Sequence, residues 1–111
     1  MIDTGKLLQK LMDDIKQWSD STFGETDRRI GMVGHLEREA DEVLEAILDG
    51  DESIIQQEIT DCFILVLDLA AHTDMSIAKL LFFAQNKHEI NKSRKWRSPN
   101  ENGSVEHIEN E

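Results

Sequence analysis

Apolar residues recur along this chain at three- and four-residue steps, the period of a helix rather than a strand. Leu7, Leu8, Leu11, Met12, Ile15 and Trp18 form the first such stretch, which predicts a helix from Thr4 to about Ser19. A polar break follows from Ser19 to Thr26, with Phe23-Gly24 in its middle. A second helix starts between Asp27 and Val33 and runs to about Leu48, with Leu36, Ala40, Val43 and Ile47 as a narrow apolar stripe. Gly50 stands where a left-handed residue closes such a helix. The third helix spans about Glu52 to Ala71, started either by a Ser53/Gln56 capping box or by Asp51 as the cap. The fourth runs from about Ser76 to Lys92, with Ile77, Leu80, Leu81 and Ala84 inward and Phe82 and Phe83 adding bulk.

From Cys62 to Ala71 the third helix is apolar on nearly every side, broken only by Asp68. Such a helix needs cover all round, more than the other helices of one small chain supply. The expected architecture is therefore an all-α four-helix bundle completed by a homodimer or homotetramer. Residues 1–96 form the one domain, and 97–111, with the only proline and almost nothing apolar, are expected to be a disordered acidic tail.

Charge narrows the class. Among 111 residues, 12 Lys and Arg face 23 Asp and Glu, a net charge of −11. So acidic a chain is a poor partner for nucleic acid or an anionic membrane. The longest apolar run, Cys62 to Leu67, is far shorter than a membrane span, and Met1-Ile2-Asp3 lacks the basic start of a signal peptide. A soluble cytoplasmic protein is expected. The single cysteine, Cys62, reads as a small core residue, and no Cys/His spacing points to zinc.

The chemistry lies in two acidic pairs. Glu39 and Glu42, and Glu58 and Asp61, are each three residues apart, so each pair leaves one side of its helix. Glu39 projects about 70° from the centre of the apolar stripe and Glu42 about 130° on the same side. Glu45 points away, which makes Glu42 with Glu45 the worse pair. Fifteen residues separate Glu42 from Glu58, enough to finish one helix, turn and start another. Packed antiparallel, the two helices would bring four carboxylates together, and these repel unless a cation sits among them. The natural guest is a hard ion, Mg²⁺ with Mn²⁺ as the alternative.

Other positions have two readings. Trp18 and Phe23 pack on the domain's own core or line a ligand pocket. Gly31 and Gly34 mark a loop or a close approach of backbone or ligand. Glu58, Asp61, Leu65, Asp68 and His72 share one side of the third helix, and the lone acid Asp68 needs a partner there. Lys87, Asn91 and Arg94 put a cation, an amide and a guanidinium on one side, as a grip for phosphate oxygens or as a solvated basic helix end.

Taken in order, these pieces resemble the MazG-like all-α nucleoside triphosphate pyrophosphohydrolases, and within them the small dATP/dGTP pyrophosphohydrolase-like branch of phages and bacteria. They are Trp18 with Phe23-Gly24, His35-Leu36 with Glu39 and Glu42, Glu58-Ile59-Thr60-Asp61, Leu67-Asp68, and Lys87…Asn91…Arg94-Lys95-Trp96. The resemblance implies Mg²⁺ held by Glu39, Glu42, Glu58 and Asp61, bridged to a triphosphate and orienting a water that attacks the α-phosphorus. Pyrophosphate and a nucleoside monophosphate would be released, with Glu39 or Glu42 as general base. It also implies Lys87 and Arg94 on phosphate, Asn91 on phosphate or sugar, and Trp18, Phe23, His35 and Asp68 around base or sugar. A carboxylate-bridged di-iron bundle would need Glu-x-x-His, a spacing that neither His35 nor His72 makes. The remaining rival is a non-enzymatic helical interaction module, which would leave the carboxylates scattered.

Overall fold

Caps set the helix boundaries. Asp3 accepts from Lys6 N at 3.1 Å and begins α1, Thr4–Phe23. Asp51 accepts from Ser53 N at 3.0 Å and from Ile54 N at 3.3 Å and begins α3, Glu52–Ala71. The cap is therefore Asp51, and the Ser53 capping box is not used. Between them α2, Arg29–Asp49, ends on Gly50 at φ 79° and ψ 17°, a left-handed position that glycine adopts without strain. α4 spans Ile77–Ser93. The computed structural model describes residues 1–108, which hold these four helices and no strand, as the periodicity predicts. Among the described residues no helix is long and apolar enough to cross a membrane.

The chain divides into two compact units, residues 1–78 and the part from Lys79 onward. In the first, only Gly50 and Asp51 link α2 to α3, and the two helices pack on each other, so they form an antiparallel hairpin. α1 packs on α3. Met12, Met32, Ala46, Leu67, Ala70 and Ile77 are buried. The shielded seam of α2 is Met32, Leu36, Glu39, Val43 and Ala46, at alternating steps of four and three. Two members of the expected stripe, Ala40 and Ile47, are exposed instead. They belong to a second apolar face, with Val33 and Leu44, that hydrophobicity alone does not separate from the inner one.

α1 runs four residues past its expected end because Ser19 is not a break. Ser19 is buried, and its hydroxyl donates to Asp68 Oδ1 at 2.9 Å, linking α1 to α3. Asp68, also buried, thereby gains the partner its position demands. His72 extends the link. Its Nδ1 lies 3.0 Å from Asp68 Oδ1 and its Nε2 lies 2.7 Å from Asp20 Oδ1. The Asp20 carboxyl is held down to about 2, first by His72 and then by Lys16 at 2.9 Å. Burial works to lower the His72 pKa, but the bonds to Asp20 and Asp68 outweigh it and the net shift is upward.

In the second unit α4 gives way to a return of the chain. Trp96 bridges His107, Arg97 N donates to Glu106 O at 2.9 Å, and Ile108 N donates to Lys95 O at 2.7 Å. The side chain of Asn100 accepts from Asn102 N and Ser104 N at the turn. The stretch expected as a disordered tail, 97–111, carries this pairing as far as 108, and 109–111 lie outside the described residues.

The His72 link has a definite pH signature. A folded pKa above the ordinary imidazole value stabilises fully below about pH 6.5, and the contribution is lost as pH rises through the folded value. Thermal melts should show stability falling across that interval, and His72→Gln should flatten the slope. At the acid end, stability should fall again as pH drops from the ordinary aspartate value toward about 2, where Asp20 protonates.

Candidate active site

The seam of α2 carries Glu39 and that of α3 carries Glu58, so packing the hairpin brings acids together. Glu39, Glu58 and Asp61 each present a ligand atom within 4.8 Å of the others. Oxygen ligands of an octahedral Mg²⁺, each about 2.1 Å from the ion, stand about 3.0 Å apart when adjacent and about 4.2 Å when opposite. Glu39 and Glu58 are half-buried, while Glu42 and Asp61 are exposed.

Charge crowding marks this cluster. The neighbouring Glu42 carboxyl, then burial, pushes Glu39 above the usual carboxylate range. His35 Nε2, 3.2 Å from Glu39 Oε1, opposes the shift. Glu58 is also pushed up, first by burial and then by Glu42. The Oε2 atoms of Glu39 and Glu58 are buried with no hydrogen-bond partner among the described residues. A buried carboxylate oxygen without a donor is costly, and a cation removes the cost. The donor set is all carboxylate oxygen, which suits Mg²⁺ or Mn²⁺ and does not suit a soft metal. Cys62 does not join this chemistry, because burial and then the field of Glu39 push its thiol up.

Glu39 and Asp61 also line a cavity of about 590 Å³ in the first unit. Trp18, Phe23, His35 and Asp68, four residues singled out from the sequence, line it too. Trp18 and Phe23 meet edge-to-face with ring centres 5.4 Å apart and stay half-open to solvent, so they wall the cavity rather than fill the core. Gly31 lines it as well, and a side chain there would meet nothing within 4 Å. Asp68 lies seven positions after Asp61, about 10.5 Å along the helix, so the cavity has an acidic end and an aromatic end.

Sequence reasoning missed Arg28 and Arg38, which also line the cavity. Arg28 donates from Nε to Gly24 O at 2.9 Å and pairs with Asp20 at 3.3 Å, and its guanidinium stands 5.5 Å over the Phe23 ring. An isolated arginine in a polar loop carries no periodic signal, so only the fold reveals it. Lys87, Asn91 and Arg94 lie in the second unit, where Arg94 Nη1 donates to Asn91 Oδ1 at 3.4 Å and the Trp96 indole donates to Asn91 O at 2.7 Å.

A family model described as dATP/dGTP pyrophosphohydrolase matches residues 11–111. Comparison with curated proteins and with solved structures gave no match.

Glu58→Gln tests the cluster independently of turnover. A carboxyl whose folded pKa is raised costs stability as pH rises above its unfolded value, and the full cost is present once pH exceeds the folded value. In EDTA at neutral pH the variant should therefore melt higher than the parent chain. Saturating Mg²⁺ should raise the parent's melting temperature, since ligand at about 100 times its Kd stabilises by about 2.7 kcal/mol, and should barely move the variant.

Proposed function

The chain belongs to the dATP/dGTP pyrophosphohydrolase family, a group of nucleoside triphosphate pyrophosphohydrolases, and we propose that it hydrolyses a purine deoxynucleoside triphosphate at the α-phosphate in a Mg²⁺-dependent reaction. The observation that carries this reading is the convergence of Glu39, Glu58 and Asp61, with two orphaned carboxylate oxygens, at the edge of a cavity with aromatic walls. Mg²⁺, or Mn²⁺, held by Glu39, Glu58 and Asp61 with Glu42 beside them, would supply positive charge to the triphosphate and make water a better nucleophile.

The chain's own groups then divide the work. Glu42 is exposed and stands next to Glu39 and Glu58, which leaves it to accept the proton of the attacking water. The water oxygen bonds to the α-phosphorus, the bond from that phosphorus to the bridging oxygen breaks, and pyrophosphate departs. His35 holds Glu39 in orientation through its 3.2 Å contact. The phosphate oxygens are the proposed ligands of Lys87, Asn91 and Arg94, whose types match that role. Trp18 and Phe23 offer ring faces to the base.

Assembly belongs to the same reading. Ile59, Phe63 and Val66 form an exposed apolar row on α3, and Val33, Leu44 and Ile47 another on α2. We propose a homodimer or homotetramer that covers them. Light scattering at micromolar concentration should give at least twice the chain mass, and a monomer would contradict it; a stable contact of this kind buries about 800 Å² per partner.

The reaction itself is checked by following pyrophosphate and monophosphate separately from free phosphate across the common nucleoside and deoxynucleoside triphosphates. Pyrophosphate release should appear with Mg²⁺ and vanish in EDTA. Glu58→Gln should lower turnover by about 100-fold or more, since even outer-shell changes at metal sites cost about 10–100-fold. Activity unchanged in that variant would contradict the assignment.

A further inference from the structure

Of the two arginines that line the cavity, one is engaged and one is not. Arg28 is held by Gly24 O at 2.9 Å, by Asp20 Oδ1 at 3.3 Å and by Ser19 Oγ at 3.4 Å, so its charge is answered within the fold. Arg38 has no hydrogen bond or ion pair among the described residues. Yet Asp41 and Glu42 stand three and four positions further along α2, the spacing at which an arginine ordinarily finds an acid. Its side chain leans back toward the start of the helix instead, and Nη1 lies 3.7 Å from the point where a side chain at Gly34 would begin. The glycine leaves room for the guanidinium to lie against α2 at the cavity wall.

That point has a definite place along the cavity. Gly34 is five positions before Glu39, about 7.5 Å along α2, and α2 runs antiparallel to α3. Moving from Glu39 toward Gly34 is therefore moving from Asp61 toward Asp68. The free guanidinium lies between the acidic end and the aromatic end.

We propose that Arg38 binds the α-phosphate of the substrate and stabilises the charge that develops there during hydrolysis. The proposal rests on the reading of the cavity as the site of the nucleotide. With phosphates at the acids and the nucleoside at Trp18 and Phe23, the α-phosphate is the group that stands between them. Charge balance asks for a cation at that point. Glu39, Glu42, Glu58 and Asp61 are acids, the triphosphate adds more negative charge, and one Mg²⁺ does not offset both. Lys87 and Arg94 belong to the second unit and Arg28 is paired, so among the described residues Arg38 is the cavity-lining arginine left to supply it. As water bonds to the α-phosphorus and the bond to the bridging oxygen breaks, negative charge grows on the non-bridging oxygens. A guanidinium offers them two parallel N–H donors, where a lysine offers a point charge. Arg38 takes no proton in this step.

Arg38→Gln and Arg38→Lys, made on the full chain, test it. The position is exposed, so both variants should melt like the parent in EDTA. With Mg²⁺, Arg38→Gln should lower kcat by about 100-fold for whichever triphosphate the parent hydrolyses, as loss of one donor to developing charge does elsewhere, and Arg38→Lys should recover part of the loss. By calorimetry in Mg²⁺, dAMP and dGMP should each bind Arg38→Gln about tenfold more weakly than the parent, while inorganic pyrophosphate binds both equally. Affinity for Mg²⁺ itself should not fall, because removing a nearby cation does not weaken the hold on another. Parent-like kcat in Arg38→Gln, weaker pyrophosphate binding with monophosphate binding intact, or a loss of Mg²⁺ affinity would overturn the assignment of Arg38 while leaving the pyrophosphohydrolase reading intact. A parent chain that releases no pyrophosphate and binds no monophosphate would overturn both.

Discussion

Mutual repulsion among the carboxylates of the α2–α3 hairpin is the constraint on which the rest depends. Folding takes Glu39 and Glu58 partly out of water and next to Glu42 and Asp61, and Glu39 and Glu58 respond by resisting ionisation. The hairpin is tied by only two linking residues, Gly50 and Asp51, so the acids cannot separate without opening the seam. A fold under selection for stability alone would place leucine at those seam positions. Glutamate there makes the apo protein a poorer structure, as expected of acids that a cation would neutralise.

The remainder of the first unit supports that site from a distance. α1 docks through Ser19 and Asp20, which hold Asp68 and His72 on α3. That polar lock sits two helical turns from the acidic cluster and beside Trp18 and Phe23. One end of the cavity thus suits a cation and phosphate, the other a planar ring with polar edges. The acidic net charge is compatible with this division, because a cation held there would provide locally what the protein lacks overall.

Much of this was legible in the sequence, for physical reasons. Helix period, Gly50 and Asp51 placed the hairpin, and three of the four acids singled out by their spacing, Glu39, Glu58 and Asp61, present ligand atoms within 4.8 Å of one another. What was hidden arose where composition misleads. Ala40 and Ile47 look like core, yet they face outward because α2 has two apolar faces and only packing chooses between them. Ser19 looks like a helix breaker, yet a long-range bond to Asp68 makes it a buried joint. Arg28 has no periodicity to announce it, and its place in the cavity depends on α1 ending at Gly24. The family resemblance read from the ordered motifs agrees with the family model over residues 11–111.

The central claim is that the carboxylate cluster is a hard-cation site whose protons compete with the metal. Mn²⁺ and Mg²⁺ titrations by calorimetry at mildly acidic pH, in buffers of different ionisation enthalpy, test it most directly. The account predicts saturable binding accompanied by net proton release, because Glu39 and Glu58 hold protons that the ion must displace, with both signals lost in Glu39→Gln. Binding without proton release, or no binding at all, would contradict it.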